Sequence, residues 1–168
     1  MPPRVRERAP TGRLPVETPA ALPKLLLDTN VILDVILARV PWDGDAVLLL
    51  DAISRGQATG FVAGHAVTTV HYIVERARGR ASANTAVSDL LQLVDVVALE
   101  RGEFQRALSL GLGDYEDAVQ VAACLKIGAD VLVTRNARDF KGASVVTRSA
   151  GELLALLVSS SPRPRSSD

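Results

Sequence analysis

Four aspartates far apart in the chain, Asp28, Asp114, Asp117 and Asp139, with the amide of Asn136, are the residues whose types and settings could carry a reaction. Asp28 ends the aliphatic run Leu25-Leu26-Leu27 and precedes Thr29-Asn30. A carboxylate in such a place is costly unless it is hydrogen-bonded or bound to a cation. Asp114 and Asp117 share a face if a helix begins there, and Asn136 and Asp139 fall in a polar loop. Each has a plain structural alternative: Asp28 as a helix cap, the Asp114/Glu116/Asp117 cluster as a first turn favoured by the helix dipole, Asn136 and Asp139 as turn residues. Brought together, the carboxylates would raise one another's proton affinity unless a cation neutralised them. An all-oxygen set suits a hard divalent ion, Mg²⁺ or Mn²⁺. Such an ion lowers the pKa of a bound water and holds a phosphodiester for in-line attack. The pattern therefore points to metal-dependent hydrolysis of phosphoryl esters.

For these residues to meet, the elements that carry them must share a sheet edge. The short apolar run from Lys24, bounded by turn-prone residues, has the pattern of a strand buried on both faces of a parallel sheet. Asp28 then stands at its carboxyl end, where open α/β sheets bind ligands. Thr29 or Asn30 can cap a helix over Val31–Ala38. Pro41 breaks the chain, and Ala46–Arg55 forms a second helix with Val47, Leu50 and Ile53 spaced for one face. Ala58–Val62 reads as strand two. His65–Ala77 and Ala81–Val94 follow as helices either side of Gly79, the latter with Val87, Leu90, Leu91 and Val94 inward. Asp95–Leu99 is a third strand, Gly102–Leu110 a short helix, and Ala118–Ile127 the helix that Asp114 to Asp117 introduces. Asp130–Thr134 is strand four, Ser144–Thr147 a small fifth, and Ala150–Val158 a terminal helix. The alternation implies an α/β fold, a three-layer sandwich with a mostly parallel central sheet of four or five strands flanked by helices. In such a sheet strands one and four end on the same edge, so the two acidic sets can converge.

The 168 residues, 48% hydrophobic and 23% charged, suit a single soluble domain. Formal net charge is zero but unevenly spread. Arg4, Arg6, Arg8 and Arg13 outweigh Glu7 and Glu17, and Arg163 and Arg165 outweigh Asp168, which leaves residues 24–158 at −3. A mildly acidic folded part argues against a broad basic nucleic-acid surface, while a short basic lip beside an acidic pocket stays compatible with it. Residues 1–22 read as a disordered basic, proline-rich extension or an over-called start, 23–158 as the domain, and 159–168 as a second disordered tail. Cys124 is the only cysteine, so there is no disulfide framework or thiolate metal site, and a reducing, cytoplasmic setting fits. No apolar stretch approaches the roughly 18 residues that span a bilayer. The N-terminal arginines have no hydrophobic segment behind them, unlike a secretory signal.

Leu27-Asp28-Thr29-Asn30-Val31, then Asp114-x-x-Asp117-Ala118, then Val133-Thr134-Arg135-Asn136-x-x-Asp139-Phe140 resemble the successive motifs of the PIN-domain family, which includes the VapC-type toxins of bacterial toxin–antitoxin pairs. The resemblance spans residue 24 to about 157 and implies a Mg²⁺- or Mn²⁺-dependent ribonuclease acting on single-stranded or structured RNA. It implies Asp28 as the first metal ligand, Asp117 with Asp114 close by as the central one, and Asp139 or Asn136 as the last. Thr134 resembles the hydroxyl residue that orients the carboxylates or a bound water. Asn30, Thr134, Arg135, Asn136 and Arg138 are then the substrate-binding candidates. Arg135, Arg138 and Lys141 at the rim could bind phosphates beside the scissile bond, or form an ordinary solvated turn. As a toxin the chain would have a cognate antitoxin docking on the helices after strand one, and a homodimer is a further expectation of the resemblance.

One departure from the family pattern concerns the helix after strand two, where a glutamate is usual. The segment here is Thr68-Thr69-Val70-His71-Tyr72-Ile73-Val74-Glu75, with the expected position at or next to His71. Three readings stand open. His71 could act as ligand or base, with Mn²⁺ tolerating nitrogen better than Mg²⁺. Glu75 could reach in from the next turn. Or the position is vacant, which gives an alternative function: a catalytically weak or inactive scaffold that binds RNA or a partner. His65, at the helix start, reads as structural. A strand-end aspartate also occurs in haloacid-dehalogenase-type phosphatases, which want a second acid where this chain has Asn30, and in receiver domains, whose acidic pair and lysine are not evident.

Overall fold

Lys24–Leu27 (β1) is apolar on both sides because both sides are covered. In the computed structural model, which describes residues 21–160, Leu25 and Leu27 enter one core while Leu26 enters another on the opposite face, the two-residue period of a strand. Around β1 run Thr59–Ala63 (β2), Asp95–Val97 (β3), Val131–Val133 (β4) and Thr147–Arg148 (β5). The order is β3-β2-β1-β4-β5, and every neighbouring pair is parallel.

The helices Thr29–Leu37 (α1), Asp43–Ser54 (α2), Gly64–Arg78 (α3), Arg80–Leu93 (α4) and Ala150–Ser160 (α7) contribute to the core on the Leu25/Leu27 face. Tyr115–Ile127 (α6) covers the Leu26 face through Val121 and Cys124. Arg101–Ser109 (α5) packs on α6 through Ala107. The expected three-layer α/β sandwich is therefore the fold, with five strands. Burial pushes the Cys124 thiol up to about 12, the state of an inert core cysteine.

Several local expectations shift. Helix α1 begins at Thr29, not Val31, because Asp28 is its cap: extended backbone, with the carboxylate accepting the amide of Asn30 at 3.3 Å. In α2 the continuous run Val47-Leu48-Leu49-Leu50 offers two competing apolar stripes. The buried one is Ala46, Leu49, Ala52 and Ile53, and Val47, expected inward, is 48% exposed. Likewise in α4 Leu90 is buried but Leu91 is half exposed. Strand β3 stops at Val97. Strand β5 lies further along than Ser144–Thr147, where Thr147 and Arg148 register against Leu132 and Val133. The basic extension and the tail lie, but for their inner ends, outside the described residues. No helix among the described residues is long and apolar enough to cross a membrane.

Candidate active site

Leu27 pairs with Val133 in the β1–β4 ladder, so the next residues of the two strands, Asp28 and Thr134, stand side by side on the carboxyl edge. Thr134 Oγ1 donates to Asp28 Oδ2 at 2.8 Å, and the same oxygen accepts the amide of Asn136 at 3.0 Å. That second bond directs the threonine's proton at the carboxylate. From α6, Gln120 Nε2 donates to Asp28 Oδ1 at 2.9 Å. Asp28 is 4% exposed, and every one of these donors is neutral. None of the ion pairs among the described residues reaches it. A carboxylate can face only the NH₂ side of an amide, so Gln120 Oε1 is turned away, buried and without a partner.

Helix α6 brings the second set. Asp114 is its cap, accepting the amides of Glu116 at 2.7 Å and Asp117 at 3.3 Å. Gln120 then lies four residues after Glu116 and three after Asp117, within reach of the face of each. With Asp28, Thr29 and Asn30, and with Thr69 and Ile73 of α3, these three line a cavity of about 120 Å³. The Asp117 carboxyl is pushed up to about 6, first by burial and then by the charges of Asp114, Asp28, Asp139 and Glu116. Coulomb repulsion falls with distance, so the aspartates scattered along the sequence are near neighbours in space. Of these aspartates Asp28 and Asp117 line the cavity, and Asp114 and Asp139 stand outside its lining. Among the described residues no three His, Cys, Asp or Glu side chains are drawn together tightly enough to hold an ion as they stand.

The other candidates fall on both sides of the line. Asn136, Arg138 and Asp139 are exposed in the loop after β4, with the Asp139 amide bonded to the Asn136 carbonyl. The Arg135 guanidinium is committed elsewhere, 2.8 Å from Asp34 and stacked 4.3 Å over the Trp42 ring. His71 faces α4, its Nε2 2.9 Å from Asn84 Oδ1, and Glu75 pairs with Arg80 at 2.8 Å. Neither His71 nor Glu75 lines the cavity. Helix α3 buries Ala66, Val70 and Val74, and His71 lies about 100° round from Val70, which turns it away. Two residues that no motif marked stand closer. Glu116 accepts from Thr29 Oγ1 at 3.4 Å, and His65 Nε2 lies 3.6 Å from the same carboxylate. Burial lowers the His65 pKa against the opposing pull of Glu116 and Asp28. The i, i+3 step from Asp117 to Gln120 is the signal that could have marked Gln120.

Residues 24–138 match the family described as the PIN domain. The chain belongs to the PIN-domain family. Solved PIN structures share its fold. VapBC2 from Rickettsia felis, bound to a promoter DNA fragment, is 14% identical with a TM-score of 0.57, over 75% of this chain and 98% of that one. DNA-bound VapBC from Salmonella typhimurium is 16% identical at 0.59, over 77% and 99%. VapC20 from Mycobacterium tuberculosis, a sarcin–ricin-loop-cleaving toxin, is 17% identical at 0.55, over 64% and 86%. No curated protein matches the sequence. The divalent cation that a PIN fold implies finds fitting donors here: carboxylate oxygens around one cavity, a buried Gln120 oxygen without a partner, and an Asp117 whose proton affinity is raised by burial and then by neighbouring carboxylates, whose charge a cation would offset.

Proposed function

We propose that this PIN protein is an endoribonuclease dependent on Mg²⁺ or Mn²⁺, and the toxin of a VapBC-type pair. The observation that carries the reading is Asp28, buried among neutral donors only, in the cavity where Asp117 is pushed up to about 6, first by burial and then by the carboxylates around it. Asp28 and Asp117 would hold the cation, with Asp114 and Asp139 adding negative charge at the rim. When bound, the ion lowers the pKa of a water and neutralises charge on the phosphodiester. Thr134 and Gln120 fix the Asp28 carboxylate in place. Asn30, at the cavity wall, and Arg138 and Asn136, exposed in the adjoining loop, contact the RNA strand. The similarity to VapC20, a sarcin–ricin-loop-cleaving toxin, supports that substrate class.

The antitoxin reading has its own support. An open, largely apolar groove of about 570 Å³ runs between α1 and α4, with Ile32, Val35 and Ile36 on one side and Ala86, Leu90 and Leu93 on the other. It suits the apolar face of an amphipathic helix, and the VapBC neighbours are toxin–antitoxin assemblies. A homodimer completes the proposed assembly. Purified protein should cleave RNA with Mg²⁺ or Mn²⁺ and not in EDTA, and Asp28→Asn should abolish cleavage. Undiminished cleavage in EDTA, or by that variant, rejects the reading.

The second reading, an inactive scaffold, is favoured by one observation: α3 brings Thr69 and Ile73 to the cavity but no carboxylate. Failure of the folded chain to bind Mn²⁺ in a calorimetric titration would select it.

A further inference from the structure

We infer that Glu116 is the cavity's third cation-binding carboxylate and that His65 is the residue that positions it; this rests on the reading of the cavity as a divalent-cation site. Glu116 lines the cavity with Asp28 and Asp117. No carboxylate enters from α3, whose two cavity residues are Thr69 and Ile73. A glutamate in a first helical turn needs no side-chain partner, because the helix dipole already favours it there. This one nevertheless has two neighbours on its carboxylate, Thr29 Oγ1 at 3.4 Å and His65 Nε2 at 3.6 Å, although its side chain is 47% exposed.

Independent of the acids is Gln120, one turn further along α6 and 1% exposed. Its Nε2 is fixed on Asp28, so its Oε1 is a buried acceptor with nothing to accept. Buried polar atoms are satisfied by protein, ordered water or an ion. A cavity lined by three carboxylates, and by a glutamine whose carbonyl oxygen has no partner, offers its acceptors to a cation or its water shell.

His65 explains how Glu116 can be held for that purpose. Both of its ring nitrogens are buried and lack hydrogen-bond partners. Its backbone carbonyl accepts from Thr68 Oγ1 at 2.8 Å and Thr69 Oγ1 at 3.2 Å, which fixes the start of α3 that carries the ring. A small rotation of Glu116 turns the 3.6 Å approach into a hydrogen bond donated by Nε2. A donor behind a ligating carboxylate sets its orientation and is felt in metal affinity.

The test is Mn²⁺ binding by the full chain, followed by loss of the free-ion electron paramagnetic resonance signal, with thermal melts to verify that each variant folds. Glu116→Gln should weaken binding by well over tenfold, and His65→Ala by a smaller factor of about ten, with His65→Gln, which keeps a donor, close to wild type. Thr69→Glu in the Glu116→Gln background should regain affinity, since it returns a carboxylate to the same cavity from α3. Asp28→Asn reports on the underlying reading. If it weakens Mn²⁺ binding while Glu116→Gln does not, the Glu116 assignment falls and the cation site stands. If wild type binds no Mn²⁺, or Asp28→Asn binds it as wild type does, both fall. A His65→Ala loss that His65→Gln does not recover overturns the positioning role.

Discussion

Asp28 and Asp34 are both buried carboxylates of the α1 segment, 4% and 1% exposed, and the fold treats them in opposite ways. Asp34 is given cations: Arg135 at 2.8 Å, with Arg39 at 3.9 Å. Burial still pushes its carboxyl above the ordinary range, and the two arginines oppose that push. Asp28 is given only neutral donors, from Gln120, Thr134 and the amide of Asn30, and other carboxylates for neighbours. A buried carboxylate with a structural task alone is stabilised by pairing. Asp34 has a cation from within the chain and Asp28, among the described residues, has none, which is what the proposed cation site requires. The contrast separates the lock of this fold from its site.

The lock gives the largest expected effect. Arg135→Ala removes the short ion pair and the stack on Trp42, leaving Asp34 buried with only the more distant Arg39. Removing one partner of a buried pair strands the other charge, so the loss should be roughly 3 kcal/mol in urea denaturation. Adding Asp34→Leu should recover most of it, because an apolar replacement of the whole pair is often neutral. If Arg135→Ala melts like wild type, Asp34 is not held by this pair and the contrast with Asp28 weakens.

The site side should respond more gently. Thr134→Val keeps the shape but removes the hydroxyl donor to Asp28 Oδ2, at an expected cost of about 1–2 kcal/mol for a bond to a charged group. In an Asp28→Asn background the same change should cost less, since the two residues are coupled and the double-mutant cycle reads that coupling. Equal losses in both backgrounds would show that Thr134 matters for packing and not for holding Asp28.

Much of this division could be read along the chain, and the part that could not is informative. Asp28 after Leu25-Leu26-Leu27 and Asp117 after Asp114 were legible because strand ends and helix starts are marked locally, by apolar runs, caps and glycines. Their meeting followed from parallel topology, which the alternation of strands and helices dictates. Arg135 looked like a phosphate-binding rim residue because its loop is polar; its partner Asp34 lies on α1, and nothing local marks that distance as closed. Counting along α3 puts the usual glutamate position at or next to His71 and leaves open whether His71, Glu75 or neither enters the cavity. The apolar step Ala66-Val70-Val74 sets the helix's rotation instead, and it puts Thr69 and Ile73 at the cavity and His71 against α4. Glu116 reads only as part of a dipole-favoured first turn and Gln120 goes unmarked, because a glutamate in a first turn and a glutamine in an apolar helix are common in helices with no site at all.

The smallest expected effect is the one with a sign that depends on pH. Asp117 has its carboxyl raised from an ordinary 3.8 to about 6 in the folded chain. A group that binds its proton more tightly when folded destabilises the fold once it ionises. The penalty is absent below about pH 4, where both states are protonated, grows between 4 and 6, and is complete above 6. In EDTA, Asp117→Asn should therefore melt higher than wild type at pH 7.5, by about 1–3 °C given the partial exposure of this side chain, with the difference vanishing near pH 4. Saturating Mn²⁺ should reverse the order at pH 7.5, because the ion stabilises only the chain that binds it. A variant that melts lower than wild type in EDTA at pH 7.5 would mean that the Asp117 charge is already compensated within the chain, as that of Asp34 is, and the distinction between lock and site would no longer hold.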